Sequence, residues 1–297
     1  VQTTVVITTK NRKEELRTAV RSAVEQTAQP EVLVIDDGST DGTSEMIRSE
    51  FPQVRLDRAE QSLGLIVQRN RGAELAHGEI IISIDDDAAF STPKVVEQTI
   101  ADFSDPRIGA VAIPFINVRK ENILQQRGPD DGMILCSFDY IGTAHAVRRD
   151  LFRRLGGYRE YLFHQGEERD FCIRMLDSGY VVRMGRADPI HHFESPRRDF
   201  RRMDLYGRRN DVLYAWHNVP WPDFPLQLLG TTARGVMFGF KMGRPWRMIQ
   251  GLAFGYGAML HEIAQRKPVS RATYQLSKML RRQTPLQKIE PLLAEIK

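Results

Sequence analysis

The sequence predicts an α/β protein: a doubly wound layer of mostly parallel strands flanked by helices, followed by a helical C-terminal extension. Two observations carry this. Short β-branched apolar runs alternate with helical patterns, about 30 residues per repeat, which is the signature of βαβ units and a parallel sheet. Beyond Pro220 the pattern changes to helices rich in Leu, Met, Phe and Trp, punctuated by Pro222, Pro225, Pro245 and Pro268. The expected division is 1–100 for the first half of the α/β layer, 101–220 for its second half, and 221–297 for the extension.

Each element has a local reason. Thr4 to Thr8 reads as the first strand, and Glu14 to Gln26 as a helix with Leu16, Ala19, Val20, Ala23 and Val24 on one face. Glu31 to Ile35 is a second strand. It ends in Asp36-Asp37-Gly38-Ser39-Thr40-Asp41-Gly42, a turn leading to a helix from about Thr43. Val54 to Leu56 is a short third strand and Gly64 to Ala76 a helix. Ile80 to Ile84 is a buried strand, followed by a helix starting near Pro93. Further on, Ile108 to Pro114, Ser137 to Val147 and Tyr180 to Met184 read as strands. Glu121 to Asp131 is polar and turn-rich, and Gly166 to Gly179 is a helix with acidic residues in its first turn. His191-His192 is expected just after a strand.

At 297 residues the chain can bury a sizeable core, and its composition is that of a globular protein. The net charge of +4 is unevenly placed, with acidic clusters early and arginines crowded between Arg197 and Arg209. Such patches suit anionic partners such as phosphates or acidic lipid head groups; nucleic acid is not expected here. Cys136 and Cys172 sit in apolar contexts and read as reduced core residues. No leader is legible, and no apolar run reaches the ~18 residues of a membrane span. These features predict a cytoplasmic protein.

The most telling residues are Asp85-Asp86-Asp87, at the carboxyl end of an apolar strand. Three adjacent carboxylates repel unless a positive charge joins them, and oxygen ligands so close suit a hard divalent cation such as Mg²⁺ or Mn²⁺. Other motifs follow in order. Thr8-Thr9-Lys10-Asn11-Arg12 ends strand one, Asp36-Asp37-Gly38-Ser39 ends strand two, and Arg69-Asn70-Arg71-Gly72 lies in the helix before the triple Asp. Gly166-Glu167-Glu168-Arg169-Asp170 and His191-His192 complete the series.

In this order and spacing, over residues 3 to 195, the chain resembles glycosyltransferase family 2. The resemblance implies a GT-A fold, a Rossmann-like sheet. It also implies a metal-dependent, inverting transfer from a nucleoside-diphosphate sugar to a hydroxyl acceptor. By that resemblance Asp36 or Asp37 reads the nucleobase, Thr9 and Arg12 flank base and ribose, and Arg69 approaches the base or diphosphate. Asp85 contacts ribose or metal, and Asp87 binds the cation bridging the diphosphate. Asp86 is counted with the nucleotide-binding residues, although alternation along an extended chain can turn it to the other side. Glu168 is the expected general base, with Glu167 as the alternative, because the family usually has Glu-Asp where this chain has Glu-Glu. The third metal ligand falls at His191, with His192 as the alternate.

Arg197, Arg198, Arg201, Arg202, Arg208 and Arg209 recur at helical spacing and predict one basic face, either a lid over the diphosphate or a surface toward solvent or anionic lipid. From Trp221 on, Phe224, Phe238, Phe240, Trp246 and Tyr256 mix with Arg234, Lys241, Arg244 and Arg247. That mixture suits peripheral contact with the inner face of a membrane and a lipid-linked acceptor, or a homodimer through the C-terminal helices. Two rivals to a transferase are a sugar nucleotidyltransferase and a non-catalytic nucleotide- or glycan-binding module. The first would want a glycine-rich phosphate loop after strand one, where none stands.

Overall fold

The computed structural model describes residues 1–120, 122–129, 133–194, 199–281 and 289–294. The strands are β1 (Thr3–Thr9), β2 (Glu31–Asp36), β3 (Arg55–Arg58), β4 (Ile80–Asp85), β5 (Ala88–Phe90), β6 (Ile108–Ala112), β7 (Phe115–Asn117), β8 (Leu124–Gln125), β9 (Cys136–Ser137), β10 (Ala144–Arg148), β11 (Val181–Met184) and β12 (Ile190–His192). The helices within the α/β layer are α1 (Lys13–Val24), α2 (Thr43–Glu50), α3 (Leu65–Leu75), α4 (Val95–Ala101), α5 (Arg149–Arg154) and α6 (Glu167–Asp177). After these come α7 (Phe200–Asn218), α8 (Asp223–Lys241), α9 (Pro245–His261), α10 (Arg271–Arg281) and α11 (Ile289–Ala294).

One eight-stranded sheet runs in the order β3-β2-β1-β4-β10-β6-β11-β9, so strands from both sides of residue 100 share it. β1 lies parallel between β2 and β4, while β10 is antiparallel to both β4 and β6. Residues of β1 are buried along its whole length, because helices cover both faces of the sheet. Side-chain alternation divides the core. Val5, Ile7, Ile80, Ile82 and Ile84 face the side of α1 and α10, and Val6, Leu33, Ile35 and Ile81 face the side of α3 and α6. The register pairs Thr8 with Asp85 and Thr9 with Asp36, so the carboxyl ends of the three central strands lie at one level.

A second sheet, β5-β12-β7-β8, stands beside those ends. The His191-His192 pair therefore lies on a strand, not after one. β12 pairs antiparallel with β5, and His192 is opposite Ala88, the residue after the triple Asp.

Several boundaries differ from the sequence reading. Ser137 to Val147 is two strands, β9 and β10, separated by a loop whose Phe138 and Tyr140 are buried like strand residues and therefore read as one. The third strand is Arg55–Arg58 and not Val54 to Leu56, and β5 intervenes before α4 starts at Val95. Beyond Pro220 there are four helices among the described residues where two or three were expected. α8 and α10 dock through a third apolar cluster that joins Phe138 and Ile173 to Tyr214, Val219, Phe224, Val269 and Tyr274, while Ile289 and Leu292 of α11 join the cluster on the α1 side of the sheet.

Candidate active site

The triple Asp leaves β4 and diverges at once. Asp85 accepts from Arg69 Nη2 at 3.0 Å and Thr143 Oγ1 at 2.9 Å. Asp86 turns to the other side, accepting from Thr9 Oγ1 at 2.8 Å and Arg12 Nη1 at 3.1 Å. Asp87 takes Arg12 Nη1 at 2.8 Å and lies 3.2 Å from His192 Nε2. Burial pushes the Asp86 carboxyl up to about 7, with Arg12 and Thr9 opposing. Burial also acts on Asp87, but His192 and Arg12 outweigh it and hold that carboxyl at about 2. Asp87 is thus an anion at neutral pH, and Arg12 supplies part of the balancing charge.

Glu167 and Glu168 open α6, preceded by Gly166 at φ +86°, a left-handed turn that glycine adopts without strain. Arg69, buried at 6 % exposure, reaches Glu167 Oε1 at 3.3 Å and Glu168 Oε1 at 3.2 Å. Its other nitrogen holds Asp85, so one guanidinium ties the acidic strand end to the acidic helix start. Burial opposes that charge, yet the three carboxylates raise the Arg69 pKa further. Glu167 is fully enclosed. Desolvation and the neighbouring Glu168 push its carboxyl well above the ordinary range, against Arg69. Glu168 keeps an edge on a cleft of about 260 Å³ with Asp139, Tyr140 and Arg208 among its walls. Of the pair, Glu168 is therefore the carboxylate that a ligand can meet.

Residues that the sequence reading missed hold this arrangement. Gly142 O accepts from Arg69 Nη2 at 3.1 Å. A Cβ on Gly142 would overlap the Glu168 carboxylate and lie 2.7 Å from Arg69 Nη1, so a side chain there would push both groups from their present positions. His145 Nδ1 lies 3.1 Å from the same carbonyl. Burial and Arg69 hold His145 down at about 3, so the ring is neutral, with Nδ1–H donating to Gly142 and Nε2 accepting from Tyr158. Tyr140 completes the chain at 2.8 Å from the Tyr158 hydroxyl. From α7, Asn210 Nδ2 donates to the carbonyls of Leu162, His164 and Gln165 at 2.7–2.9 Å. That loop contains Phe163 and Gln165 at φ +62° and +68°, strained for residues with a Cβ. The small apolar run from Ser137 to Val147 is compatible with lining a site, but no motif singled out these groups, because their contacts join segments distant in sequence.

The other expected residues sort themselves by burial. Asp36 is fully enclosed and accepts from Ser39 N and Ser44 Oγ, which closes the turn after β2. Asp37 is also buried, at 6 % exposure, and accepts from Ser62, Leu63, Gly64 and Gln68, bracing the start of α3. Arg69 points into the protein between carboxylates. Of the basic run, Arg197 and Arg198 lie outside the described residues. The rest do not form one face: Arg209 is buried against Phe254 and Tyr161 O, Arg202 covers Phe163, Arg208 pairs with Asp211, and Arg201 is exposed. Adjacent arginines on a helix diverge by about 100°, which splits them into two stripes. Phe224, expected near the surface, is buried against Trp216 and Trp221.

Among the described residues, Asp85, Asp87 and His192 place one ligand atom each within 4.8 Å of the others. Two carboxylates and an imidazole suit a Mg²⁺- or Mn²⁺-like ion, so the donor set fits a divalent cation. His192 joins this cluster. His191, preferred by resemblance, is not in the cluster, because alternate residues of β12 face opposite sides.

The fold and site define a class of α/β protein with a carboxylate–imidazole cluster at the strand ends and an acidic pair linked to it. The chain belongs to glycosyltransferase family 2, described as "Glycosyl transferase family 2", whose sequence model matches residues 4–156. It is 25 % identical over 206 residues to the glucosyl-dolichyl phosphate glucuronosyltransferase of Haloferax volcanii, covering 61 % of this chain and 65 % of that protein. It is 23 % identical over 292 residues to the O-antigen chain rhamnosyltransferase RfbN of Salmonella typhimurium, covering 83 % of this chain and 90 % of the relative. An uncharacterised Escherichia coli glycosyltransferase, YibD, is 34 % identical over 102 residues, 33 % of this chain and 29 % of that one. The chain thus spans under two thirds of two of these relatives. Among solved structures, S. aureus TarS 1-349 in complex with UDP-GlcNAc superposes with a TM-score of 0.65 at 14 % identity, covering 99 % of this chain and 90 % of that one. The mannosyltransferase PcManGT from Pyrobaculum calidifontis, in complex with GDP-Man and Mn²⁺, gives 0.56 at 18 % identity, covering 99 % and 85 %. These likenesses show a GT-A fold.

Proposed function

We propose that this chain is a metal-dependent, inverting glycosyltransferase that moves a sugar from a nucleoside-diphosphate donor to a hydroxyl acceptor. The observation that carries the reading is the Arg69 bridge, which sets Glu168 beside the Asp85–Asp87–His192 cluster. A divalent ion held by Asp85, Asp87 and His192 would neutralise charge on the departing nucleoside diphosphate. Glu168 accepts the proton of the acceptor hydroxyl as its oxygen bonds to the anomeric carbon. The bond from that carbon to the diphosphate breaks, and its electron pair leaves with the nucleoside diphosphate. One displacement inverts the anomeric centre. Thr9 and Arg12 would flank base and ribose, and Asp37, less deeply buried than Asp36, would face the base. Arg69 positions Glu168 and Asp85. The bound GDP-Man with Mn²⁺ and UDP-GlcNAc named for the structural neighbours support such a donor.

The test is hydrolysis and transfer with a panel of nucleoside-diphosphate sugars in Mn²⁺, Mg²⁺ or chelator. Turnover that requires the metal and is lost in Asp87→Ala supports the reading. Undiminished turnover in chelator contradicts it.

The C-terminal helices support a place of work. Trp221, Leu226, Leu229, Met237, Phe240, Trp246 and Leu260 are each at least 64 % exposed. No Asp or Glu occurs between Asp223 and Glu262, whereas Arg234, Lys241, Arg244 and Arg247 do. No described helix is long and apolar enough to cross a membrane. An apolar face rimmed by cations suits peripheral docking on anionic lipid. Salt-sensitive co-sedimentation with phosphatidylglycerol vesicles is the expected result. A concentration-dependent dimer with no vesicle binding would assign this face to a second copy instead.

A further inference from the structure

Behind the Glu168 cleft lies a second cavity, of about 350 Å³, between α6, α7, α8 and α10. The two share Arg169, Arg208 and Asp211 as walls, so they adjoin. The second cavity also draws Arg234 from α8 and Arg281 from α10, giving four guanidiniums against one carboxylate, Asp211. Asp211 is taken by two of them, Arg169 and, at 2.9 Å, Arg208. Among the described residues Arg234 makes no ion pair, and Arg281 rests on the rings of Phe138 and Tyr214, making no close ion pair, although its charge, like that of Arg169, acts on the Asp139 carboxyl. Two further polar groups point to a missing occupant. Tyr214, 5 % exposed, lines the cavity with its hydroxyl unpartnered, and Nε of Arg169 is buried without an acceptor. A buried donor left unmade costs stability, so such groups mark the place of a ligand that accepts hydrogen bonds.

We propose that this cavity binds a phosphate group of the acceptor, holding it beside the hydroxyl that faces Glu168. The inference rests on the transferase reading for the word acceptor; the anion site itself does not. Arginine forks match phosphate oxygens, and the net positive wall of the cavity suits the oxyanion of either a phosphomonoester or a phosphodiester. Asp85, Asp87 and His192 take no part, so this site is separate from the one for the donor diphosphate. The shared chemistry is a phosphoester, from a lipid-linked sugar phosphate or from a soluble one.

The experiment is calorimetric titration of the full chain with inorganic phosphate in chelator, compared with Arg234→Ala/Arg281→Ala and with Asp87→Ala. Both arginines lie on exposed helix surface, and circular dichroism confirms that the variants fold. Binding by the unaltered chain and by Asp87→Ala is expected, weakened about tenfold or more in the double arginine variant. No binding at millimolar phosphate, or equal binding by the arginine variant, overturns the site. A loss of binding in Asp87→Ala overturns its separateness. Competition for phosphate then distinguishes the source. Displacement by undecaprenyl phosphate in micelles but not by glycerol phosphate assigns a lipid-linked acceptor, and the reverse assigns a soluble one. The transferase reading is tested apart, by metal-dependent donor hydrolysis with the unaltered chain.

Discussion

Replacing Arg69 with Met keeps an unbranched stem in the buried channel but removes the guanidinium charge that joins Asp85, Glu167 and Glu168. The guanidinium is buried and makes contacts of 3.0 to 3.3 Å with the three carboxylates. Taking one partner from a buried ion pair costs about 3–5 kcal/mol, because the remaining charges stay desolvated. The loss has a pH dependence. Burial and Glu168 already raise the Glu167 carboxyl above its unfolded value. A group with a raised acid pKa binds more protons folded than unfolded, so stability falls as pH rises from the unfolded value, near 4.3, toward the folded one. Without Arg69 that value rises further, and the penalty is larger at pH 8 than at pH 5.5. Urea unfolding in chelator at both pH values measures it. A loss below about 1 kcal/mol at pH 8, or a larger loss at pH 5.5, would refute the view of Arg69 as the charge-balancing hub.

Two further outcomes follow from the geometry. His192→Ala should weaken Mn²⁺ binding by about tenfold or more while His191→Ala leaves it unchanged, read by titration with the metal alone; equal effects would contradict the strand alternation. Gly142→Ala should lower kcat by about 10²-fold, because the added methyl displaces the Glu168 carboxylate, with less change in donor KM. A wild-type kcat would show that the loop yields freely.

Much of this was legible before folding because the chemistry is local. Ile80 to Ile84 followed by three aspartates announces a strand and a carboxylate cluster within eight residues. The alternation of strands and helices in the α/β layer follows from their periods in the same way. What stayed hidden depends on pairing between distant segments. The choice of His192 over His191 is set by the register of β12 against β5. The inward turn of Arg69 depends on carboxylates 16, 98 and 99 residues away in sequence. The same holds for Asn210, whose three carbonyl partners lie on a loop some 45–48 residues earlier. The arginine run misled because identical charges recur with a helical period whether they face solvent or, like Arg209, cover an aromatic ring.

The central claim is that Glu168 accepts the acceptor's proton and Glu167 does not. Glu168→Gln preserves size and hydrogen bonding but removes the base. Single-turnover transfer with metal and donor bound should fall about 10²-fold or more, with donor affinity unchanged. Glu167→Gln, at a buried carboxyl already held toward its neutral form, should retain most of the rate. Undiminished transfer by Glu168→Gln, or the large loss falling on Glu167→Gln instead, would contradict the account.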